Sequence, residues 1–145
     1  MSVDPRTLGW LSRALTHEMS AVQQYLAQSV LVRLWGDDAL ADELRAEAVE
    51  ELKHAERLME RLIVLGVAPS AGNLAPARLG RSAEVLLAAD RVIEVDAVRI
   101  YQEALAHVER MRDADSASLL SSILSEEMMH VQALDQVMNG KVQND

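Results

Sequence analysis

Residues 50–54 read EELKH and residues 126–130 read EEMMH, and these two matching segments decide how the chain folds. Each holds a Glu-x-x-His motif, and a further glutamate precedes each motif by 33 positions. The two sets, displaced by 76 positions, are Glu18, Glu51 and His54, then Glu94, Glu127 and His130. We interpret them as one helical hairpin used twice to build a single site with two equivalent halves. Four carboxylates and two imidazoles suit a pair of divalent metal ions.

The size and composition of the chain favour one compact domain. It has 145 residues and a mass of 16.0 kDa, and half of its residues are hydrophobic, which is enough for a sizeable core. The sequence contains no cysteine, which excludes disulfides and iron–sulfur centres, so oxygen and nitrogen must hold any metal. A net charge of −9 disfavours nucleic-acid binding. Neither a signal peptide nor a membrane-spanning apolar stretch is recognisable, so we expect a cytoplasmic protein without membrane contact.

The hydrophobic pattern predicts helices through most of the chain. Apolar residues recur at alternating steps of three and four, which places them on one stripe of each helix. Capping residues and glycines mark the helix ends. We expect four helices: from Asp4 or Pro5 to Trp35, from Asp37 or Asp38 to Gly66, from Ser82 to the segment before Asp113, and from Asp113 or Asp115 to Asn139 and Gly140.

The segment between the second and third helices predicts the topology. Residues 66–81 read GVAPSAGNLAPARLGR and hold two of the three prolines and three of the six glycines, which is typical of a loop. Such a loop reaches about 50 Å when extended, so it can run back along the whole bundle and make the second and third helices parallel. We therefore predict an all-α fold, an up-down-down-up four-helix bundle with one long crossover. The domain would span residues 1–140, followed by a short tail at residues 141–145.

The six repeated Glu and His residues fall on inward stripes that are otherwise occupied by Leu, Val and Ile. A buried carboxylate without a partner costs several kcal/mol, so these groups need protons, cationic side chains or metal ions. Basic residues are scarce on the stripes, where Arg61 alone lies near one, whereas two divalent ions would balance four carboxylates. The alternative is an exposed acidic face with the same residues. The repeated inward position favours a dinuclear metal site.

These residues resemble the di-iron carboxylate site of the ferritin-like superfamily. Tyr25, the Trp35-Gly36 turn and Asp90, together with the unshifted spacing of the six ligands, resemble the bacterioferritin family more closely, over residues 1–140. The fold implied is a ferritin-like four-helix bundle with a di-iron site inside one chain. Oxygen and nitrogen ligands accommodate manganese as well as iron, so the native metal stays open between the two.

The resemblance also implies a role for each ligand. One iron would be held by Glu18 and His54, and the other by Glu94 and His130. The remaining two carboxylates, of Glu51 and Glu127, would bridge the irons.

Two tyrosines accompany these ligands. Tyr25 lies seven residues after Glu18 on the same helix face and would hydrogen-bond a ligand carboxylate or supply an electron; a core aromatic with a satisfied hydroxyl is the alternative. Tyr101 repeats Tyr25 in the second half, with less support from the family.

Haem binding is one point at which the chain departs from the resemblance. In bacterioferritins a methionine directly after the second glutamate ligates haem at the subunit twofold, and this chain has Leu52 there. Met19, on the outward side of the first helix, is the remaining candidate for an axial haem ligand, although methionines at helix interfaces usually serve packing. Haem is therefore an open question.

Assembly is the second point of departure. Apolar residues on the outer faces of the first two helices predict homodimers packed through these helices about a twofold axis; they are Met19, Leu26, Leu31, Leu34 and Leu52. The resemblance extends these dimers to a hollow cage. The family's fifth helix, which lines the fourfold channels of a 24-subunit cage, has no counterpart after Gly140. We therefore expect twelve subunits rather than twenty-four.

The leading functional hypothesis is iron storage and detoxification by a ferroxidase, which oxidises Fe²⁺ with O₂ or H₂O₂ and deposits Fe³⁺ in the cage. A di-iron or di-manganese peroxidase or oxidase, of the rubrerythrin or manganese-catalase kind and without storage, is the alternative. A haem-binding electron-transfer protein is a third hypothesis, which Leu52 disfavours. The partners expected are iron ions, the oxidant and further copies of the chain.

Overall fold

Four long helices make up most of the described chain. The computed structural model describes the backbone of residues 3–144 and the side chains of residues 3–140. The helices are α1 (Pro5–Leu34), α2 (Asp38–Val64), α3 (Ala83–Arg110) and α4 (Ala114–Asn144). No strand occurs within residues 3–144, and the all-α prediction is confirmed. In the same part of the chain, none of the helices is long and apolar enough to cross a membrane.

A side chain caps the N-terminus of each helix, and each cap lies at a helix start that the sequence predicts. The caps and the residues whose N–H groups they accept from are Asp4 and Thr7 (3.0 Å), Asp37 and Leu40 (3.1 Å), Ser82 and Val85 (3.3 Å), and Asp113 and Ser116 (3.1 Å). The first turn of a helix leaves N–H groups without intrahelical partners. These caps satisfy one such group each and fix the point at which each helix begins.

The contacts between helices establish their directions. Residues 18–25 of α1 contact residues 94–101 of α3 in reverse order, so these helices are antiparallel. Residues 47–61 of α2 contact residues 116–130 of α4, also in reverse order. Since α1 and α2 form one hairpin and α3 and α4 the other, α2 and α3 run parallel. The predicted up-down-down-up topology is confirmed.

The crossover between α2 and α3 lies along α1. Hydrogen bonds join it to that helix along much of its length, among them Thr16 with Ala71, Ser20 with Ala75 at 3.0 Å, and Gln28 with Arg78 at 3.0 Å. Residue numbers rise together in the two segments, so the crossover climbs in the direction of α1. This path returns the chain to the end of the bundle at which α3 begins, as its length predicts.

Two apolar clusters fill the bundle on either side of its middle level. The larger lies near the start of α1 and includes Leu11, Leu15 and Leu58, all fully buried. The smaller lies near the end of α1 and includes Val32 and Leu44. Burying such a side chain contributes roughly 1.5–3 kcal/mol. The clusters thus hold the four helices together above and below the level at which the repeated Glu and His residues lie.

Three helices end in the same type of turn, in which one residue has a positive φ. Those residues are Gly36 (+89°), Gly66 (+87°) and Arg112 (+58°). After α3, the N–H of Arg112 donates to Glu109 O at 3.0 Å and that of Asp113 donates to Val108 O at 3.0 Å. Arg112 lies 76 positions after Gly36, so the second hairpin keeps the turn of the first without its glycine.

Replacing Arg112 by glycine is expected to stabilise the protein by about 0.5–1 kcal/mol. A side chain in the left-handed region costs about 1–2 kcal/mol, which the greater flexibility of glycine in the unfolded chain offsets only in part. The midpoint of urea unfolding measures the change. Ala106→Gly, at an exposed position inside α3, is the control and should destabilise by about 1 kcal/mol. Destabilisation by both variants would contradict the conformational argument.

The end of α4 differs from the prediction. We expected Asn139 and Gly140 to end the helix, whereas it continues to Asn144. Gly140 is not among the glycines with a positive φ, so it does not form a terminating turn. A glycine inside a helix costs only about 1 kcal/mol relative to alanine, and α4 continues past it. The predicted boundary was therefore wrong, and Asp145, the last residue of the predicted tail, lies outside the described residues.

Candidate metal centre

All six Glu and His residues of the repeat meet at the middle level of the bundle. They are Glu18 from α1, Glu51 and His54 from α2, Glu94 from α3, and Glu127 and His130 from α4. The side chains of five of them are at most 3% exposed, and that of His130 is 20% exposed. The i, i+3 spacing in each motif puts its Glu and His on one helix face. Four carboxyl groups therefore share one buried space.

The first half of the centre surrounds the His54 imidazole. His54 Nδ1 lies 2.8 Å from Glu127 Oε1, 3.4 Å from Glu51 Oε2 and 3.6 Å from Glu18 Oε2. One potential ligand atom from each of the four residues lies within 4.8 Å of the others. Metal–ligand bonds of about 2.0–2.6 Å would fit a single ion among these atoms.

The second half surrounds the His130 imidazole. His130 Nδ1 lies 3.2 Å from Glu51 Oε1, 3.6 Å from Glu94 Oε2 and 3.7 Å from Glu127 Oε2. Glu51 and Glu127 therefore direct one oxygen towards each imidazole, as carboxylates that bridge two ions would. Of the two imidazoles, Glu18 approaches that of His54 and Glu94 approaches that of His130. We call these two residues the terminal glutamates.

The centre contains buried polar atoms without hydrogen-bond partners among the described residues. They are Glu18 Oε2, Glu51 Oε1, His54 Nδ1, Glu94 Oε2, both oxygens of Glu127 and His130 Nδ1. An unsatisfied buried polar group costs about 1–3 kcal/mol, and a charged one costs more. These atoms converge between the two imidazoles and have the O/N donor chemistry of a divalent-ion site. The residues present therefore fit a pair of metal ions.

Two tyrosines cross-link the halves. The Tyr25 hydroxyl donates to Glu94 Oε1 at 2.7 Å, and the Tyr101 hydroxyl donates to Glu18 Oε1 at 2.6 Å. Burial, together with the adjacent carboxylate, raises the pKa of both phenols well above its usual value. Both therefore stay neutral donors. Sequence reasoning foresaw a carboxylate partner for Tyr25 but not that each tyrosine would bind the terminal glutamate of the opposite hairpin.

In the metal-free protein, protons compensate for the clustered carboxylates. Burial raises the pKa of Glu51 well above its usual range, and burial with the neighbouring Glu127 raises the pKa of Glu94 to about 7. Burial alone would lower the pKa of His54, but the carboxylates around it raise that pKa to about 12. The pKa of His130 is raised for the same reason. Incoming cations must displace these protons, so a higher pH favours metal binding.

Outside the centre, the two imidazoles have different neighbours. His54 Nε2 lies 3.2 Å from Glu126 Oε2, and Arg57 donates to that same oxygen at 2.9 Å. Glu50, the counterpart of Glu126 in the first hairpin, instead binds Lys53 at 3.2 Å. Sequence reasoning missed this support of His54, although the paired glutamates in EELKH and EEMMH were the available signal. Arg61, which we considered near the inward stripe, binds Asp113 at 3.1 Å instead.

The two residues that concern haem lie on the outer sides of α1 and α2. Met19 is half-buried against the larger apolar cluster, and Leu52 is 40% exposed. Met19 as an axial ligand therefore stays a hypothesis.

Comparison with known proteins identifies the family of the chain. A family model described as the ferritin-like domain matches residues 9–140. The chain belongs to the ferritin-like superfamily. Within that superfamily it is similar to bacterioferritins: it is 31% identical to that of Mycobacterium bovis over 93% of this chain and 85% of the relative. The bacterioferritins of Rhodobacter capsulatus and Streptomyces coelicolor are 30% and 31% identical over the same share of this chain and 84% and 81% of their own lengths. The family resemblance inferred from sequence motifs is thus confirmed.

Proposed function

We propose that the protein is a ferroxidase that oxidises Fe²⁺ at the six-residue centre and stores Fe³⁺ inside a shell of identical subunits. The observation that carries the proposal is the arrangement of Glu51 and Glu127, each with one oxygen towards each imidazole. Such carboxylates would hold two ions side by side. The similarity to bacterioferritins supports iron as the metal and storage as the outcome.

Ferrous ions are the substrate in this proposal. Glu18 and His54 would hold one ion, and Glu94 and His130 would hold the other. Each ion gives up one electron: dioxygen takes two electrons and two protons to become hydrogen peroxide, whereas hydrogen peroxide as the oxidant takes the same to become water. The protein contributes by holding two one-electron donors within reach of one oxidant molecule.

Tyr25 and Tyr101 would position the terminal carboxylates. Each donates a hydrogen bond to the oxygen of its glutamate that faces away from the imidazole. The other oxygen, Oε2 of Glu94 or Glu18, then stays turned towards the ion. Because each tyrosine comes from the opposite hairpin, the ligand geometry depends on correct docking of the two hairpins.

Storage requires an enclosed space, which a single bundle lacks. Apolar side chains on α1 and α2 are exposed in the isolated chain: Leu26 at 42%, Val30 at 63%, Leu34 at 80% and Leu52 at 40%. Leu26, Val30 and Leu34 follow one another at steps of four and so form one exposed apolar stripe on α1, which favours a subunit interface there. We therefore propose homodimers that pack through α1 and α2 and assemble further into a hollow shell.

The mass of the assembly and its iron capacity test this function. Light scattering should give a multiple of the 16.0 kDa chain far above a dimer. Aerobic addition of Fe²⁺ should load the assembly well beyond two ions per chain without precipitation, and the same addition under nitrogen is the control for binding without oxidation. A dimer that saturates at two ions and consumes peroxide would contradict storage and favour the peroxidase or oxidase alternative.

A further inference from the structure

The two halves of the centre differ in the residues that lie one helical turn away from the ligands. Beside His130, α2 carries Glu47, whereas its counterpart beside His54 is Ile123, displaced by 76 positions and fully buried. Beside Glu94, α3 carries Asp90, whose counterpart is the fully buried Ala14. The repeat therefore adds two carboxylates to one half and none to the other.

A cavity of about 410 Å³ opens on the half that holds these carboxylates, and we call it the His130-side cavity. Glu43, Glu47, Asp90 and His130 are among its lining residues, which include no lysine or arginine in the described part of the chain.

The half of the centre beside His54 has two arginines at the equivalent positions. Arg57 and Arg61 reach across from α2 to α4 at the positions that Ala133 and Val137 occupy in the His130-side cavity. Ala133 and Val137 of α4 are shorter than these arginines and leave the cavity beside His130 open. The exposed fraction of the imidazoles follows this difference, at 20% for His130 and 3% for His54.

Asp90 is held in this cavity with one carboxylate oxygen free. The residue is fully buried, its Oδ1 accepts from Gln24 Nε2 at 2.9 Å, and its Oδ2 has no hydrogen-bond partner among the described residues. The corresponding pair in the other half is apolar, with Ile100 in place of Gln24. A buried carboxylate oxygen without a partner that lines an acidic cavity is suited to a cation.

Glu47 connects the cavity to the dinuclear centre. It lies one helical turn before Glu51 on α2, and its Oε2 is 3.9 Å from His130 Nδ1. One potential ligand atom of Glu47 lies within 4.8 Å of those of Glu51, Glu94 and His130. Its side chain is 42% exposed, so it can reach both solvent and the centre.

We propose that Glu47 and Asp90 form a further divalent-cation site in the His130-side cavity, from which Fe²⁺ passes to the position between Glu94 and His130. This site rests on the proposed function, because it supplies the ferroxidase centre with its substrate. The Glu47–Asp90 site would make the two metal positions unequal. The position beside His130 would exchange ions with solvent, and ions would reach the position beside His54 by way of the position beside His130.

Anaerobic titration with Co²⁺ alone, a redox-inert ion, tests the site by calorimetry. The wild-type protein should bind two ions tightly and one more weakly per chain. Glu47→Gln and Asp90→Asn, which preserve side-chain shape, should each keep the two tight ions and lose the weak one. Glu56→Gln is the matched control, since Glu56 is an exposed glutamate of α2 that does not line the cavity.

The kinetics of Fe²⁺ oxidation give a second readout. In both variants the rate at limiting Fe²⁺ should fall about tenfold through a higher KM. In Asp90→Asn, whose carboxylate is not among the ligand atoms grouped at the dinuclear centre, kcat at saturating Fe²⁺ should stay within about twofold of the wild-type value. Retention of the weak Co²⁺ ion, or an unchanged KM, in both variants would overturn this site and leave the dinuclear centre intact. A wild-type protein that binds only one weak ion, lost in both variants, would keep this site and overturn the centre. No Co²⁺ binding at all would overturn both.

Discussion

The Glu127→Gln variant is expected to bind at most one metal ion per chain instead of two and to oxidise Fe²⁺ at least about 100-fold more slowly than the wild type. The two oxygens of Glu127 lie 2.8 Å from His54 Nδ1 and 3.7 Å from His130 Nδ1, so the side chain serves both metal positions. Glutamine keeps the shape but loses the charge and one ligand oxygen. Metal analysis after desalting and stopped-flow absorbance of Fe³⁺ formation measure the two effects.

Glu51→Gln should behave in the same way, because Glu51 also turns one oxygen towards each imidazole. Glu103→Gln is the control for the loss of one acidic charge, since Glu103 is exposed on α3. Unchanged metal stoichiometry in both Glu51→Gln and Glu127→Gln would contradict the assignment of these residues as bridging ligands.

Saturation of both metal positions with Zn²⁺ is expected to raise the melting temperature of the metal-free protein by roughly 15–30 °C. Free ion at 1,000 times the dissociation constant stabilises the folded state by about 4 kcal/mol per site. In a chain of this size each kcal/mol corresponds to roughly 2–4 °C. The physical cause is the set of buried carboxylate and imidazole atoms without hydrogen-bond partners, which the ions would satisfy. Scanning calorimetry at constant protein concentration measures the shift.

The Glu127→Gln variant is the control for this shift, since it should lose a large part of it. Magnesium at the same concentration provides a second control, because the two imidazoles disfavour it relative to Zn²⁺. Melting that is indifferent to Zn²⁺ at neutral pH would mean that the clustered groups of the centre do not bind divalent ions.

Local signals in the sequence predicted the fold because they depend on near neighbours along the chain. Asp37, Ser82 and Asp113 cap helices at the expected positions, since a cap needs only the first helical turn beside it. The crossover was predictable from its prolines, its glycines and its reach. The wrong prediction, at Gly140, concerned a residue whose effect on a helix is small enough for the helix to continue past it.

The convergence of the six Glu and His residues was predictable because they follow the apolar stripe, and the stripe defines the core. Features set by the spacing between helices were not predictable. The support of His54 by Glu126 and Arg57 depends on how closely α2 and α4 approach. The role of Glu47 depends on a cavity that small residues of α4, among them Ala133, leave open. The periodicity of a single helix determines neither the spacing between α2 and α4 nor the size of this cavity.

The reciprocal bonds from Tyr25 to Glu94 and from Tyr101 to Glu18 make the bundle an intramolecular dimer of two hairpins. Neither hairpin alone can hold its own terminal glutamate, so the centre forms only when the two associate. The crossover sets the effective concentration at which they meet, and the entropy of closing it changes by only about 0.6 kcal/mol for each doubling of its length. If an ancestral gene encoded a single hairpin that formed dimers, its duplication would therefore have required no new site. It would have required only a linker long enough to run along α1.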